Sequence, residues 1–556
     1  MYNLLIGGAA GQGVETTAAI LEKLLKRSGY QVLTVRDFMS RVRGGHNFSL
    51  IRFGNEAILS HSSRLDGIIA LDDETVERHR DELKQEGFIL CDSKLKADDP
   101  RMLKIPMDEM ARSLGNPRVS GSISLGAVLC LFQEPLDQTE EVFRDFVKSA
   151  VLDVNLKAVK AGYDSVSPRF PRTDGAFRDW MLISGSKAVA LGAIAAGLRF
   201  YSAYPMSPST PIMEAIAAKG DEAGIVVEQA EDEIAAINMA IGASYAGARA
   251  MTGTSGGGFS LMVEALGLSG MTETPLVVVD VQRPGPATGL PTRTEQSDLK
   301  FVIGASQGEF PRMVISLRNP TDAFYQTIRA FRLAETYQIP VILLSDQYLG
   351  DASYTVKPFD LSRAELPPQP AESAPDEGEY LRYRITQDGI SPRLIPGKTK
   401  HLVAVDSDEH DERGWITESA EVRTEMADKR MRKLVRLKEE LQEPEFFGAE
   451  DFDALLIGWG STWGPIKEAV RLRNEAGGRY AALMFGDVYP LPQKLLREKA
   501  PLAARLIDVE QNSTGQLAAL IREETGILCT ERVLKYDGRE ISGEELAERV
   551  QKGERK

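Results

Sequence analysis

A single carboxyl inside an apolar helix is the first feature that could do chemistry. The run Glu228-Gln229-Ala230-Glu231-Asp232-Glu233 leads into Ile234–Tyr245, which is apolar nearly all round and reads as a buried helix. Glu233 lies one turn before Ile237 and shares its face, so its carboxyl points among core residues. A carboxyl in that setting has a raised pKa or a specific partner. The same acidic run also suits the positive end of a helix dipole, which is a structural role.

Three segments after strand-like runs can hold a ligand. In Tyr204-Pro205-Met206-Ser207-Pro208-Ser209-Thr210-Pro211, prolines stiffen a loop that presents three hydroxyls, among them Ser207 and Thr210. It can bind a small carboxylate or keto oxygen, or cap the helix that follows. In Thr252-Gly253-Thr254-Ser255-Gly256-Gly257-Gly258, three glycines after Thr254 and Ser255 let backbone approach a ligand or a tightly packed neighbour. In Gln282-Arg283-Pro284-Gly285-Pro286, an arginine ends a buried strand, where open α/β sheets bind ligands. Its guanidinium suits a carboxylate, or a structural ion pair. Near the N-terminus, Gly8-Ala9-Ala10-Gly11-Gln12-Gly13 lies between a strand and a helix. Arg41 and Arg43 follow in Ser40-Arg41-Val42-Arg43-Gly44-Gly45-His46-Asn47. Gly11, Gly13, Arg41 and Arg43 are candidates for an anion.

These segments need α/β frameworks to position them. Strand-like runs at 31–35, 48–53, 67–71 and 87–91 alternate with helical spacing, which predicts a doubly wound α/β domain over 1–165. A second α/β unit is expected over 179–355, with strands at 199–203, 225–228, 249–252, 275–281 and 340–345. Residues 356–450 read as a linker, Pro- and Glu-rich at first, carrying a polar surface helix near 423–441. A third α/β unit spans 451–556.

Composition narrows the function. Among 556 residues, 66 are basic and 81 acidic, a formal charge of −15, which disfavours nucleic acid and anionic membranes. Cys91, Cys130 and Cys529 are isolated, so this chain cannot build a four-thiolate cluster alone; they read as buried thiols in a reducing cytoplasm. No metal site, signal peptide or membrane-spanning run is expected.

Together these motifs resemble the 2-oxoacid:ferredoxin oxidoreductases. The proline loop is similar to the family's YPITPST, and EDEIAAI, TGTSGGGFSLM and VQRPGPATGLPTRTEQSDL follow in the family's order. GGAAGQG and SRVRGGHN resemble the γ domain. Asp408–Gly414, Gly458-Trp459-Gly460-Ser461 and Glu510–Gln516 resemble the rest of the α subunit. The resemblance implies three α/β domains: a γ-type doubly wound domain, a pyrimidine-type thiamine diphosphate domain and a transketolase C-terminal-like domain. It implies that Glu233 is the catalytic carboxyl that bonds the cofactor's aminopyrimidine, with Thr254 and Ser255 also at the cofactor. Ser207, Thr210 and Arg283 would bind the 2-oxoacid. Gly11, Gly13, Arg41 and Arg43 are candidates for coenzyme A. Ser207 stands where the family usually has Thr, and Met206 where it has Ile. Gly257 replaces Pro, while Pro284 and Ala287 replace Gly and Ser.

No GDG-type diphosphate motif occurs. The resemblance therefore implies that thiamine diphosphate with Mg²⁺, and a [4Fe-4S] cluster, are held by a separate β subunit in an (αβ)₂ assembly with ferredoxin as acceptor. A fused γ–α chain favours 2-oxoglutarate over pyruvate. Arg393 is expected near the pocket. The alternatives are a subunit of a non-redox thiamine enzyme, or a nucleotide-binding regulatory protein built on the N-terminal glycine turn.

Overall fold

The computed structural model describes residues 1–40, 45–368 and 379–553. They form two compact units, Met1–Ile183 with Asp351–Pro358, and Ser184–Gly350 with Phe359 onward.

In the first unit, the elements up to Asp92 are β1 (Tyr2–Ala9), α1 (Val14–Arg27), β2 (Gln31–Asp37), β3 (His46–Gly54), β4 (Leu65–Ala70), α2 (Asp73–His79) and β5 (Leu83–Asp92). Then come β6 (Met102–Ile105), α3 (Met107–Ser113), α4 (Ser120–Leu131), α5 (Thr139–Arg144), α6 (Ser149–Asp164) and β7 (Met181–Ser184). The sheet order is β6-β5-β4-β1-β3-β2, continued by Ser353–Val356 and β7. β1 is parallel to β4 but antiparallel to β3, and β2 is antiparallel to β3, so this side of the sheet is antiparallel and not a parallel winding. An antiparallel pair needs no crossover helix, so the eight residues between β2 and β3 are enough to join them. Apolar residues of β1, α1 and α4, such as Leu4, Leu21 and Leu125, fill the core.

The second unit continues with α7 (Gly185–Ala195), β8 (Phe200–Ala203), α8 (Thr210–Ala217), α9 (Gly220–Ala223), β9 (Val226–Gln229) and α10 (Glu233–Tyr245). Next are β10 (Ala250–Thr254), α11 (Gly256–Met271), β11 (Leu276–Gln282), α12 (Leu299–Ile303), β12 (Met313–Ser316), α13 (Pro320–Tyr337) and β13 (Pro340–Asp346). β9, β8, β10, β11, β13 and β12 are neighbours in that order and all parallel. Every residue of β10, β11 and β13 is buried, as central parallel strands require.

The strands expected at 480–485 and 504–509 form Tyr480–Phe485 and Arg505–Glu510, within a five-stranded sheet built from residues 445–534. Its core is continuous with that of the parallel sheet, to which Asp487–Tyr489 adds a seventh, antiparallel strand beside β12: Trp459, Leu483 and Leu517 belong to the same cluster as Phe259 and Val278. The Glu510–Gln516 motif is structural. Glu510 accepts from Trp459 Nε1 (3.0 Å), Asn512 Nδ2 (2.7 Å) and the Leu517 amide (2.8 Å), closing the N-terminus of the helix Gln516–Thr525. Gln511 and Asn512 in turn grip Gln296.

Two helices depart from expectation. The polar surface helix runs over Ala420–Leu437 and buries Lys429 and Lys433 completely. Both lysines pair with Glu273 just beyond the C-terminus of α11, at 2.6 and 2.5 Å, and Arg382 donates to the Glu273 carbonyl at 2.8 Å. Cations at a helix C-terminus complement its dipole. Helix α10 is not buried all round, because Ile234 and Met239 are 49% and 41% exposed. Among the described residues, no helix is long and apolar enough to cross a membrane.

Candidate active site

Four segments leave the carboxyl ends of adjacent parallel strands: 204–210 after β8, 230–233 after β9, Ser255–Gly258 after β10 and Arg283–Leu290 after β11. That edge is where open α/β sheets bind ligands, so all the candidates from the second unit emerge on one side.

Asp232 caps α10, accepting from the Ala235 amide at 2.6 Å, and this fixes Glu233 as the first helical residue. The cap also turns Glu233 inward. It is 3% exposed, and its Oε1 has no hydrogen-bond donor. Burial pushes its carboxyl above the usual range, and the neighbouring Asp232 adds to this. Glu233 packs on the first turn of α11: a Cβ at Gly258 would lie 2.5 Å from Glu233 Oε1 and would also overlap Thr254 Oγ1. Thr254 and Glu233 therefore meet at Gly258. Ser255, the N-cap of α11, is fully buried with an unpartnered hydroxyl.

The three glycines have distinct neighbours. Gly256 is closed by Asp298, whose Cγ would stand 2.8 Å from an added Cβ, and Gly258 by Glu233 and Thr254. A Cβ at Gly257 would meet nothing nearer than the Ala287 carbonyl, at 3.7 Å. All three belong to the first turn of α11. Gly257 is thus where backbone stays open to an approaching group.

Half-buried Arg283 donates to the Ser207 carbonyl at 2.5 Å, so it joins the loops after β8 and β11. Ser207 is exposed. Ser209 turns its hydroxyl back to the Met206 carbonyl (2.8 Å), and Thr210 opens α8, half-buried. The loop is therefore both a helix start and a presenting surface.

Arg393 is not at this edge. It pairs with Glu335 (2.6 Å) and donates to the Ser244 carbonyl (2.6 Å). Ser244 is eleven residues along α10 from Glu233, about 16 Å at the helical rise. Arg393 satisfies a helix C-terminus and not a ligand.

Sequence reasoning missed Asp280 and Asp298. Asp280 is a charged residue within the apolar run Leu276–Val281, and that was the available signal.

In the first unit, Gly11 and Gly13 have φ of +95° and +84°, a conformation glycine adopts without strain. Gln12 closes the turn by accepting from the Ala9 amide at 2.7 Å. Gly13 precedes α1 with no side-chain cap, beside a cavity of about 410 Å³ that Thr17, Asn116, Arg118 and Phe143 also line. Arg118 was not singled out from the sequence. Arg41 and Arg43 lie outside the described residues.

A buried, orphaned carboxyl beside an open backbone turn fits a heteroaromatic cofactor that offers a ring nitrogen or amine. Among the described residues no three His, Cys, Asp or Glu side chains converge on a metal position.

Comparison with known proteins bears on the same segments. Residues 191–429 match the family described as pyruvate flavodoxin/ferredoxin oxidoreductase, thiamine diphosphate-binding. Residues 3–165 match pyruvate ferredoxin/flavodoxin oxidoreductase. The chain is 33% identical to a 2-oxoacid:ferredoxin oxidoreductase subunit alpha from a Sulfolobus species, over 98% of this chain and 95% of that one. It is 33% identical to a 2-oxoglutarate synthase subunit of Methanothermobacter marburgensis, over 66% and 97% of the two chains. Among solved structures, a 2-oxoglutarate:ferredoxin oxidoreductase from Magnetococcus marinus, with 2-oxoglutarate, coenzyme A and succinyl-CoA bound, superposes with a TM-score of 0.93. Identity is 31% and 99% of each chain is covered.

Proposed function

Since the chain belongs to the α subunits of the 2-oxoacid:ferredoxin oxidoreductases, we propose that it supplies Glu233 and an Arg283–Ser207 clamp to an enzyme acting on 2-oxoglutarate. The reaction is thiamine-dependent oxidative decarboxylation of a 2-oxoacid with reduction of ferredoxin, carried out by a multi-subunit enzyme. The reading is carried by the buried, donor-less Oε1 of Glu233 beside Gly258.

Thiamine diphosphate supplies a carbon nucleophile once its C2 proton is lost. Glu233 serves that step by hydrogen-bonding the aminopyrimidine. Burial raises its pKa, which favours the protonated carboxyl that can donate a hydrogen bond to a ring nitrogen. Thr254 and Ser255 line the same edge and offer hydroxyls. Arg283 meets the oxoacid carboxylate, with Ser207 and Thr210 on the facing loop. Two relatives support 2-oxoglutarate as that substrate: the Methanothermobacter marburgensis protein is a 2-oxoglutarate synthase subunit, and the Magnetococcus marinus enzyme holds 2-oxoglutarate.

Coenzyme A is assigned to the first unit, at the Gly11–Gly13 turn and the cavity lined by Arg118; its presence in the Magnetococcus marinus structure supports it as co-substrate. Mg²⁺ and the iron–sulfur cluster are assigned to a β subunit, and the assembly to (αβ)₂ in the cytoplasm. Exposed Tyr204, Ile234 and Leu290, on the segments that leave this edge, and exposed Met239 and Leu261, further along α10 and α11, support a partner there, because exposed apolar side chains gain by being covered.

Reconstitution with the partner subunit and viologen reduction over a panel of 2-oxoacids tests the reading. Coenzyme A-dependent activity should be highest with 2-oxoglutarate. Activity with another oxoacid alone would displace the substrate. Activity of this chain without a partner would displace the division of labour.

A further inference from the structure

Two motifs of the five-stranded sheet, Gly458-Trp459-Gly460-Ser461 and Glu510–Gln516, take no part in that chemistry, yet both close on the loop that carries Arg283. The loop covers residues 283–298, from the end of β11 to the start of α12. Its base is tied by Gln282, the last residue of β11, which is buried. Gln282 accepts from the Asp298 amide at 3.0 Å and donates to the Ser345 carbonyl of β13 at 3.0 Å. Near the far end, Gln296 is fully buried, and each of its four polar atoms is paired with the carboxyl end of the other sheet. Nε2 donates to the Trp459 carbonyl (2.8 Å) and Oε1 accepts from the Gln511 amide (3.1 Å). The backbone N–H donates to the Gln511 carbonyl (2.7 Å), and the backbone carbonyl accepts from Asn512 Nδ2 (3.0 Å).

The motifs are shaped for this grip. A Cβ at Gly460, whose φ is +60°, would stand 2.8 Å from Gln296 Nε2, so glycine leaves the space through which the amide reaches the Trp459 carbonyl. Gln516 adds a second hold at the half-buried rim: it donates to the Ser297 carbonyl at 2.7 Å and accepts from the Lys300 amide at 2.9 Å. An apolar side chain at 296 would also join the two layers, but it is non-directional. A fully paired buried amide fixes one register. At the start of the same loop Arg283 donates to the Ser207 carbonyl at 2.5 Å. Precision matters there, because a shift of about 1 Å in a group that orients substrate can cost about 10²-fold in rate.

We infer that Gln296 is a positioning residue, and that the carboxyl end of the five-stranded sheet serves the reaction by fixing the loop on which Arg283 meets the oxoacid carboxylate. This rests on the reading of Arg283 as the substrate clamp. Gln296 sets the register of the loop, and Gln516 steadies its exit into α12.

The test uses the assembled holoenzyme with Gln296→Met, Gln516→Ala and Arg283→Ala, and with each of the first two combined with Arg283→Ala. kcat and KM are measured for both oxoacid and coenzyme A. Gln296→Met keeps the length of the side chain and removes its two hydrogen bonds. It should raise KM for the oxoacid by about fivefold or more and leave KM for coenzyme A unchanged. Gln516→Ala should act in the same direction by about two- to threefold. In the Arg283→Ala background neither change should raise KM further, because the group they position is gone. An unchanged oxoacid KM in Gln296→Met, or the same factor with and without Arg283, would overturn the inference. If Gln296→Met does not assemble, Gln516→Ala and its double variant decide by the same criterion. An unchanged KM in Arg283→Ala would instead sink the substrate reading itself.

Discussion

Helix α11 has a buried glutamate against each end, and the two sit in opposite electrostatic surroundings. Glu233 packs on its first turn, with one oxygen lacking any donor and a carboxyl pushed up by burial. Glu273 follows its C-terminus. Burial would push it up as well, but Lys433, Lys429 and Arg382 more than offset that and hold it well below the usual range. Burial is common to both, so burial alone does not mark a functional carboxyl. The difference is whether the protein supplies a partner. Glu273 is satisfied by its own chain and is structural. Glu233 is left for something the chain does not contain.

The contrast can be broken from either end. The largest effect is expected for Glu233→Gln, which should lower oxoacid turnover by about 10²–10⁴-fold, the range of a positioned acid–base group. Its melting temperature should be unchanged or higher, because a costly buried carboxyl has been removed. Turnover within a factor of two of wild type would show that the unpartnered end is not catalytic.

Next is Glu273→Gln, which strands two buried ammonium groups. It should cost about 3–5 kcal/mol of stability, read as a lower melting temperature in the assembled enzyme. Glu273→Leu with Lys429→Met and Lys433→Met should recover most of that loss, because well-packed apolar groups often replace a buried ion cluster at little cost. Arg283→Ala should cost about 1.5–3 kcal/mol of oxoacid binding, the worth of a hydrogen bond to a charged group, seen as a higher KM.

The smallest effect separates the glycines. Gly257→Ala, in open space, should change stability by less than about 1 kcal/mol, since alanine is the better helix former. Gly258→Ala should be clearly destabilising, because Glu233 and Thr254 occupy its Cβ position. Similar melting temperatures for the two variants would remove the packing argument that places Glu233.

Much of this was legible because it is local. The strand expected at 275–281 is β11, and the glycine run after 252 opens α11. Glu233 could be singled out because a helix face is set by spacing. What could not be read depended on partners far along the chain. Lys429 and Lys433 read as solvent-facing because Glu273 is over 150 residues away. Ile234 and Met239 read as core because an apolar residue carries the same signal whether its own chain or another covers it. Arg393 is drawn to Glu335 and the end of α10, 58 and 149 residues off.

If Glu233 activates thiamine diphosphate, its removal must slow loss of the cofactor's C2 proton. The most direct test is the rate of hydrogen–deuterium exchange at C2 in the assembled enzyme, by quenched flow and proton NMR, for wild type and Glu233→Gln. Exchange should be slowed by about two orders of magnitude or more in the variant, with cofactor content and assembly unchanged. Equal exchange rates in the two proteins would contradict the assignment of Glu233 as the activating carboxyl.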